Sequence, residues 1–293
     1  MQPRGLPEEL CRPLGIGYDR YHEFLWRYAY PSGSPERNPD LGISLSGLQE
    51  AAGSLKSAGQ QLRSRPLCLI QGITSPRNGT SLRQFLETFG VAKPIIHAID
   101  IADVAGVLAT MNMSLPDVSF SVADAVSLPT FATGSVQILV QDHLLNCTPH
   151  RNHEAIVEEA ARLLDKRGFL ILNFSVDPRH AADAICTLEE IERIIGRPLS
   201  DQAYCLRDLT CGADEHKKYK PLLMGRTVVL DDIGRMIVIT PPHGNFEFYF
   251  PKAVLEEQLT RHGLRFEYIS RESGVDGNGI TCLRYRTIVR HRE

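Results

Sequence analysis

From Leu67 onward the chain alternates short apolar runs with helical stretches. Leu67–Gln71, Ile95–Ile99, Val118–Val122, Val136–Val140 and Phe169–Phe174 are brief and mostly apolar, the mark of buried strands. Between them, Ser81–Phe89, Ala102–Met111 and His153–Leu164 carry apolar residues at helical spacing. Strands separated by helices imply β-α-β units and a parallel sheet covered on both faces. The right-handed crossover rule then predicts a doubly wound, Rossmann-like α/β fold.

Two regions flank or interrupt this pattern. Before it, Tyr18, Tyr21, Leu25 and Tyr28 fall at helical spacing beside Phe24 and Trp26, which predicts an amphipathic helix. Pro31–Gly47 is rich in Pro, Ser and Gly and reads as a linker or loop, and a second helical piece covers Leu48–Arg63. After Ser175 the strand pattern lapses into an insert at about 176–249, with a helix at Ala181–Ile195 and a hairpin formed by Thr227–Leu230 and Met236–Thr240. That hairpin suggests an antiparallel edge. A helix at Pro251–His262, a strand at Leu264–Ser270, a Gly-rich turn at Ser273–Gly279 and a strand at Ile280–His291 follow. The expected division is an N-terminal helical lid region at 1–65 and a main domain at 66–293 that contains the insert as a cap.

Composition narrows the classes. The 293 residues are 43% hydrophobic and 23% charged, with a formal net charge of −3. That is the profile of a globular protein, and it lacks the basic excess of a dedicated nucleic-acid binder. No apolar run approaches the ~20 residues of a membrane-spanning helix, and residues 1–5 do not resemble the start of a signal peptide. Seven cysteines form no C-x-x-C pair. A reduced, cytoplasmic setting is expected, with no metal, membrane or nucleic-acid partner. Cys205, Cys211 and His216 lack the close pairing of a zinc site.

In an open parallel sheet, ligands sit beyond the carboxyl ends of the strands. Those ends carry Gly72-Ile73-Thr74-Ser75 after the first strand, Asp100 after the second, Ala123-Asp124-Ala125 after the third, and Gln141-Asp142-His143-Leu144-Leu145-Asn146-Cys147 after the fourth. Gly72 permits close backbone approach, and either aspartate could serve as a ligand carboxylate or as a loop or helix cap. Histidine's ordinary pKa, near 6.5, makes His143 a candidate base as well as an ordinary loop residue.

This ordered set resembles the class I S-adenosylmethionine-dependent methyltransferases over roughly Pro66–Ser175 and again over Phe248–Arg290. The resemblance implies S-adenosylmethionine as cofactor or substrate. Asp100 would hold the ribose with Ile101 beside it, Asp124 and Ala125 would meet adenine, and Gly72, Thr74 and Gln141 would line the rest of the ligand. Family members often set an N-terminal helix over this cleft. Tyr18, Tyr21, Trp26 and Tyr28 would then face the sulfonium, which aromatic faces attract by up to ~2 kcal/mol when desolvated. His143, Asn146 and Tyr21 are the catalytic candidates for alkyl (methyl) transfer to a small molecule.

The chain departs from the family's first motif, acidic-x-Gly-x-Gly-x-Gly: Ile70 stands at the acidic position and Thr74 at the second glycine. The hydroxyls of Thr74 and Ser75 would lie beside the ligand's amino-acid end. Two alternatives follow. One resembles azetidine-2-carboxylate synthases, in which the ligand's own amine closes on its γ-carbon and methylthioadenosine leaves. The other is a protein of this fold that binds without catalysis.

Overall fold

The computed structural model describes residues 41–176 (except 74, 92, 111 and 149), 227–230, 236–240, 245–248, 250, 252–275 and 281–292. The aromatic segment with Tyr18, Tyr21, Trp26 and Tyr28 lies outside these residues. So do the expected helix at 181–195 and the Cys205, Cys211 and His216 set.

Helices α1 (Leu41–Ser46) and α2 (Ala52–Gln61) precede β1 (Leu67–Gln71), α3 (Asn78–Glu87), β2 (Ile95–Asp100), α4 (Val104–Thr110) and β3 (Ser119–Val122). Then come β4 (Val136–Asp142), a 3-10 turn at Leu145–Cys147, α5 (His150–Leu163) and β5 (Leu164–Val176). Strands β6 (Thr227–Leu230), β7 (Met236–Thr240) and β8 (Asn245–Phe248) are followed by α6 (Lys252–Arg261), β9 (Leu264–Val275) and β10 (Thr281–His291).

Seven strands form one sheet in the order β3-β2-β1-β4-β5-β10-β9. β1 through β5 run parallel, while β10 is antiparallel to both β5 and β9. This is the expected doubly wound sheet with an antiparallel C-terminal hairpin. One face packs on α1–α4 through Leu41, Leu45, Leu55, Leu82, Leu86 and Leu108. The other packs on α5 and α6 through Ile156, Val157, Ala160, Leu255 and Leu259. On that second face Phe174 is fully buried, stacked on Tyr285 at 5.0 Å and on Phe250 at 5.7 Å between ring centroids.

Two expectations need correction. The Pro31–Gly47 linker gives way to α1 at Leu41, because Leu41, Leu45 and Leu48 bury one helical face completely. The Thr227–Thr240 hairpin forms as expected, but it does not edge the main sheet. It pairs with β8 in a separate three-stranded antiparallel sheet, and the antiparallel edge is built by β9 and β10 instead. β8 lies against the Leu145–Cys147 turn, which places the small sheet at the carboxyl end of β4.

Close backbone packing sets the start of β5. The register slips between Val136 and Ile138, and a Cβ on Gly168 would fall 2.5 Å from the Gln137 carbonyl oxygen. Only glycine lets the two strands approach this closely. Among the described residues, no helix is long and apolar enough to cross a membrane.

Candidate functional site

The strand order reverses direction between β1 and β4, and a doubly wound sheet opens its ligand crevice at such a switch point. From here the loop after β1 leads to α3 on one face, and the loop after β4 leads to α5 on the other. Gln71 and Gln141, the register partners at the rim, are buried, and Gln141 Nε2 donates to Gln71 Oε1 at 2.5 Å. Gln71 Nε2 is buried without a hydrogen-bond partner.

Gly72 turns the chain out of β1 with φ +84°, a left-handed conformation that a side chain would strain. Its N–H donates to the Ile99 carbonyl at 2.9 Å. Asp100 ends β2 and binds the same loop: the Ile73 N–H donates to Oδ2 at 2.8 Å and the Ala102 N–H to Oδ1 at 3.0 Å. The carboxylate therefore organises both loops at its strand end. Each carboxylate oxygen offers two acceptor sites, so this role is compatible with accepting from a ligand as well.

Around Asp100 the rim is apolar and open. Ile101 is 60% exposed and Val122, the register partner of Asp100 on β3, is 56% exposed. Val122 was not singled out from sequence, where it is one apolar residue in a strand; only its position at the sheet edge sets it apart. Asp124 is exposed, with Oδ1 accepting from the Val126 N–H at 3.0 Å, and Ala125 is half-buried. Ser75 is buried, and its Oγ accepts from the Arg77 N–H at 3.2 Å, so it shapes the start of α3. Thr74 lies outside the described residues.

The loop carrying Asp124 is held from α5. Glu159 Oε1 accepts from the Leu128 N–H at 2.6 Å, and Arg162 donates to the carbonyls of Leu128 and Phe131. Glu159 also accepts two bonds from Arg162, each 2.7 Å. These bonds from Arg162, with the Leu128 amide, hold the Glu159 carboxyl below its usual range despite partial burial. Its stabilising contribution is complete above the unfolded Glu pKa, about 4.3, and is lost as pH falls through the lower folded value. Glu159→Gln is accordingly expected to flatten the acid limb of a stability-versus-pH curve below about pH 4; urea midpoints measured across that range check it.

After β4 a second polar cluster forms. His143 sits at φ +56°, and its N–H donates to the Asn173 carbonyl at 2.9 Å. Its ring meets Asp142 Oδ1 through Nδ1 at 3.3 Å and Ser175 Oγ through Nε2 at 3.1 Å. Burial alone would raise the Asp142 pKa, but hydrogen bonds from His143, Asn173 and Ser44, with the His143 charge, bring it below the ordinary value. Asn146 is buried and bridges to Ser175 twice, Nδ2 donating to the carbonyl and Oδ1 accepting from the N–H, both at 2.8 Å. Its amide is a clamp on β5 in this arrangement. Asp142 and Ser175 carry no periodic signal in the sequence and emerge because β4 and β5 each run further than their apolar cores, whereas Asn173 lies inside the Phe169–Phe174 run.

The expected residues thus form two groups at one end of the sheet: Gly72, Asp100, Ile101, Asp124 and Ala125 around β1–β3, and Gln141, His143 and Asn146 around β4.

No protein-family model matches the chain, and no curated protein matches it. Solved structures resemble it at low identity. A SAM-dependent methyltransferase from Methanosarcina mazei is 16% identical, with a TM-score of 0.49 over 80% of this chain and 96% of its own. The CcbJ methyltransferase from Streptomyces caelestis is 13% identical, with a TM-score of 0.47 over 93% of this chain and 98% of its own. The 1,6-didemethyltoxoflavin-N1-methyltransferase of Burkholderia thailandensis, solved with 1,6-didemethyltoxoflavin and S-adenosylhomocysteine, is 13% identical, with a TM-score of 0.41 over 85% of this chain and 81% of its own. These are likenesses of fold.

Proposed function

We propose that the chain is an enzyme that binds S-adenosylmethionine and transfers an alkyl group, a methyl in the first reading, to a small molecule. The observation that carries this is the rim around Asp100. A carboxylate at the end of β2 is joined to a left-handed glycine loop, flanked by the exposed aliphatic surfaces of Ile101 and Val122, with the exposed carboxylate of Asp124 one strand over. A nucleoside needs these features together: acceptors for a ribose diol, flat apolar walls for a base, and an acceptor for its amino group. The small sheet against the Leu145–Cys147 turn supports a cap over the acceptor side, beside His143. Tyr18, Tyr21, Trp26 and Tyr28 are proposed to close the cleft from the N-terminal side.

A small acceptor agrees with the near-neutral charge, and attack in line at the sulfonium carbon would draw much of its rate from positioning. The cyclising reading, in which the ligand's own amine is the nucleophile, draws on one observation: Asn173 Oδ1 on β5 is a buried acceptor without a hydrogen-bond partner. The deciding experiment titrates the full chain with S-adenosylmethionine calorimetrically and then analyses the products. Binding with S-adenosylhomocysteine released only when an acceptor is present supports methyl transfer. Methylthioadenosine with a cyclic amino acid, formed without any acceptor, replaces methyl transfer by cyclisation. No heat at millimolar ligand defeats both in favour of a non-catalytic role.

A further inference from the structure

We propose that Asp142, His143 and Ser175 form a proton relay that deprotonates an α-ammonium group, making an amine the nucleophile at this site. The inference rests on the S-adenosylmethionine reading above and names the chemistry of the group alkylated.

The direction of each hydrogen bond follows from Asp142. Its oxygens accept, so the proton of His143 must sit on Nδ1, 3.3 Å from Oδ1. Nε2 of the neutral ring is then an acceptor, and the Ser175 hydroxyl, 3.1 Å away, donates to it. The Ser175 backbone is fixed beside the ring, because Asn146 holds its N–H and its carbonyl at 2.8 Å each. His143 itself is held at φ +56°, a conformation uncommon for a residue with a side chain and one that tends to persist where a site requires it.

A second observation points to what the relay receives. Asn173 is fully buried, and its Nδ2 donates to Asp142 Oδ1 at 2.9 Å. The opposite amide orientation would set oxygen against a carboxylate, so Oδ1 points elsewhere, and it is buried with no hydrogen-bond partner. Asn173 Oδ1 and the lone pairs of Ser175 Oγ are both acceptors, two residues apart on β5. They call for a group rich in donors. An α-ammonium gives up its proton more readily than a side-chain ammonium: at a chain terminus its pKa is about 8, against about 10.4 for lysine.

The step balances as follows. The ammonium passes one proton to Ser175 Oγ while the Ser175 hydroxyl proton moves to His143 Nε2, leaving an imidazolium beside the Asp142 carboxylate. The freed nitrogen lone pair forms a bond to a sulfonium-bound carbon. The C–S bond breaks, and its electron pair stays on sulfur. The amine can belong to a separate amino acid, which releases S-adenosylhomocysteine, or to the sulfonium ligand itself, which releases methylthioadenosine.

The test uses the full chain labelled with ¹⁵N-histidine, with His143 identified by its loss in His143→Gln. The relay expects the neutral ring as the Nδ1–H tautomer, shifting toward Nε2–H in Asp142→Asn. It also expects kcat to fall about ten- to hundredfold in Asp142→Asn and in Ser175→Ala, with KM for S-adenosylmethionine within about twofold. Incubation with S-adenosylmethionine alone, and with a mixture of the standard amino acids, separates the two amine sources. A wild-type Nε2–H tautomer, or undiminished kcat in either variant, overturns the relay whether or not the ligand binds. Products alkylated only on oxygen or carbon overturn the amine assignment. Absence of calorimetric binding with the Nδ1–H tautomer intact places the failure in the cofactor reading, and the amine assignment falls with it.

Discussion

Asp100→Ala is expected to lower S-adenosylmethionine affinity by at least about a hundredfold and to destabilise the fold by about 2–6 kcal/mol, from two buried amides at about 1–3 kcal/mol each. Those amides, on Ile73 and Ala102, donate to opposite oxygens of this carboxylate. Alanine leaves both without an acceptor and loosens the loop after β1, which then keeps only its Gly72 N–H bond to the Ile99 carbonyl among the bonds described above. Two charge-assisted bonds to a ribose diol, at about 1.5–3 kcal/mol each, would be lost as well and make the larger part of the affinity change. Asparagine is not a neutral control, since its NH₂ would confront one of the two donors. Calorimetry with S-adenosylmethionine, beside urea unfolding, separates the two effects. Wild-type affinity in Asp100→Ala would place the nucleoside elsewhere.

Phe174→Ala is expected to cost about 3–5 kcal/mol in urea unfolding, the range for deleting a buried aromatic ring from a core. The ring is fully buried and lies nearly parallel to Tyr285, at an interplanar angle of 8°, with Phe250 and Phe266 also stacked on it. Its removal empties the contact between β5, β10 and the α6 side of the sheet. Phe174→Leu keeps most of the volume and is expected to cost less, so a loss as large in leucine as in alanine would contradict a packing origin. Asn173 and Ser175 flank this ring in β5, so the alanine variant should also weaken turnover through their displacement.

The sheet was legible because its central strands are buried on both faces and read as apolar runs: Val136–Val140 opens β4 and Phe169–Phe174 lies within β5. Their extensions were not legible. Gln141, Asp142 and Ser175 are polar, so periodicity ends the strands early, yet each is paired by a neighbour across the carboxyl rim. Composition hid α1, where Pro, Ser and Gly nearby outweighed the spacing of Leu41, Leu45 and Leu48. The two acidic strand ends were found from order alone, but not that Asp100 would also tie down the glycine loop. Pairing of β6 and β7 could be inferred from local pattern; that the pair would join β8 apart from the main sheet depends on contacts no local pattern encodes.

The inward position of β10 sets an order of events during synthesis. β9 emerges first, yet among the described residues its sheet neighbour is β10, which comes later and must slot between β9 and β5. Until then β5 presents an open row of backbone donors and acceptors and β9 has nothing to join, the kind of exposed edge that invites intermolecular pairing. The open edge of β5 therefore persists until β10 is free to pair with it, and so does the exposure of the nascent chain to aggregation.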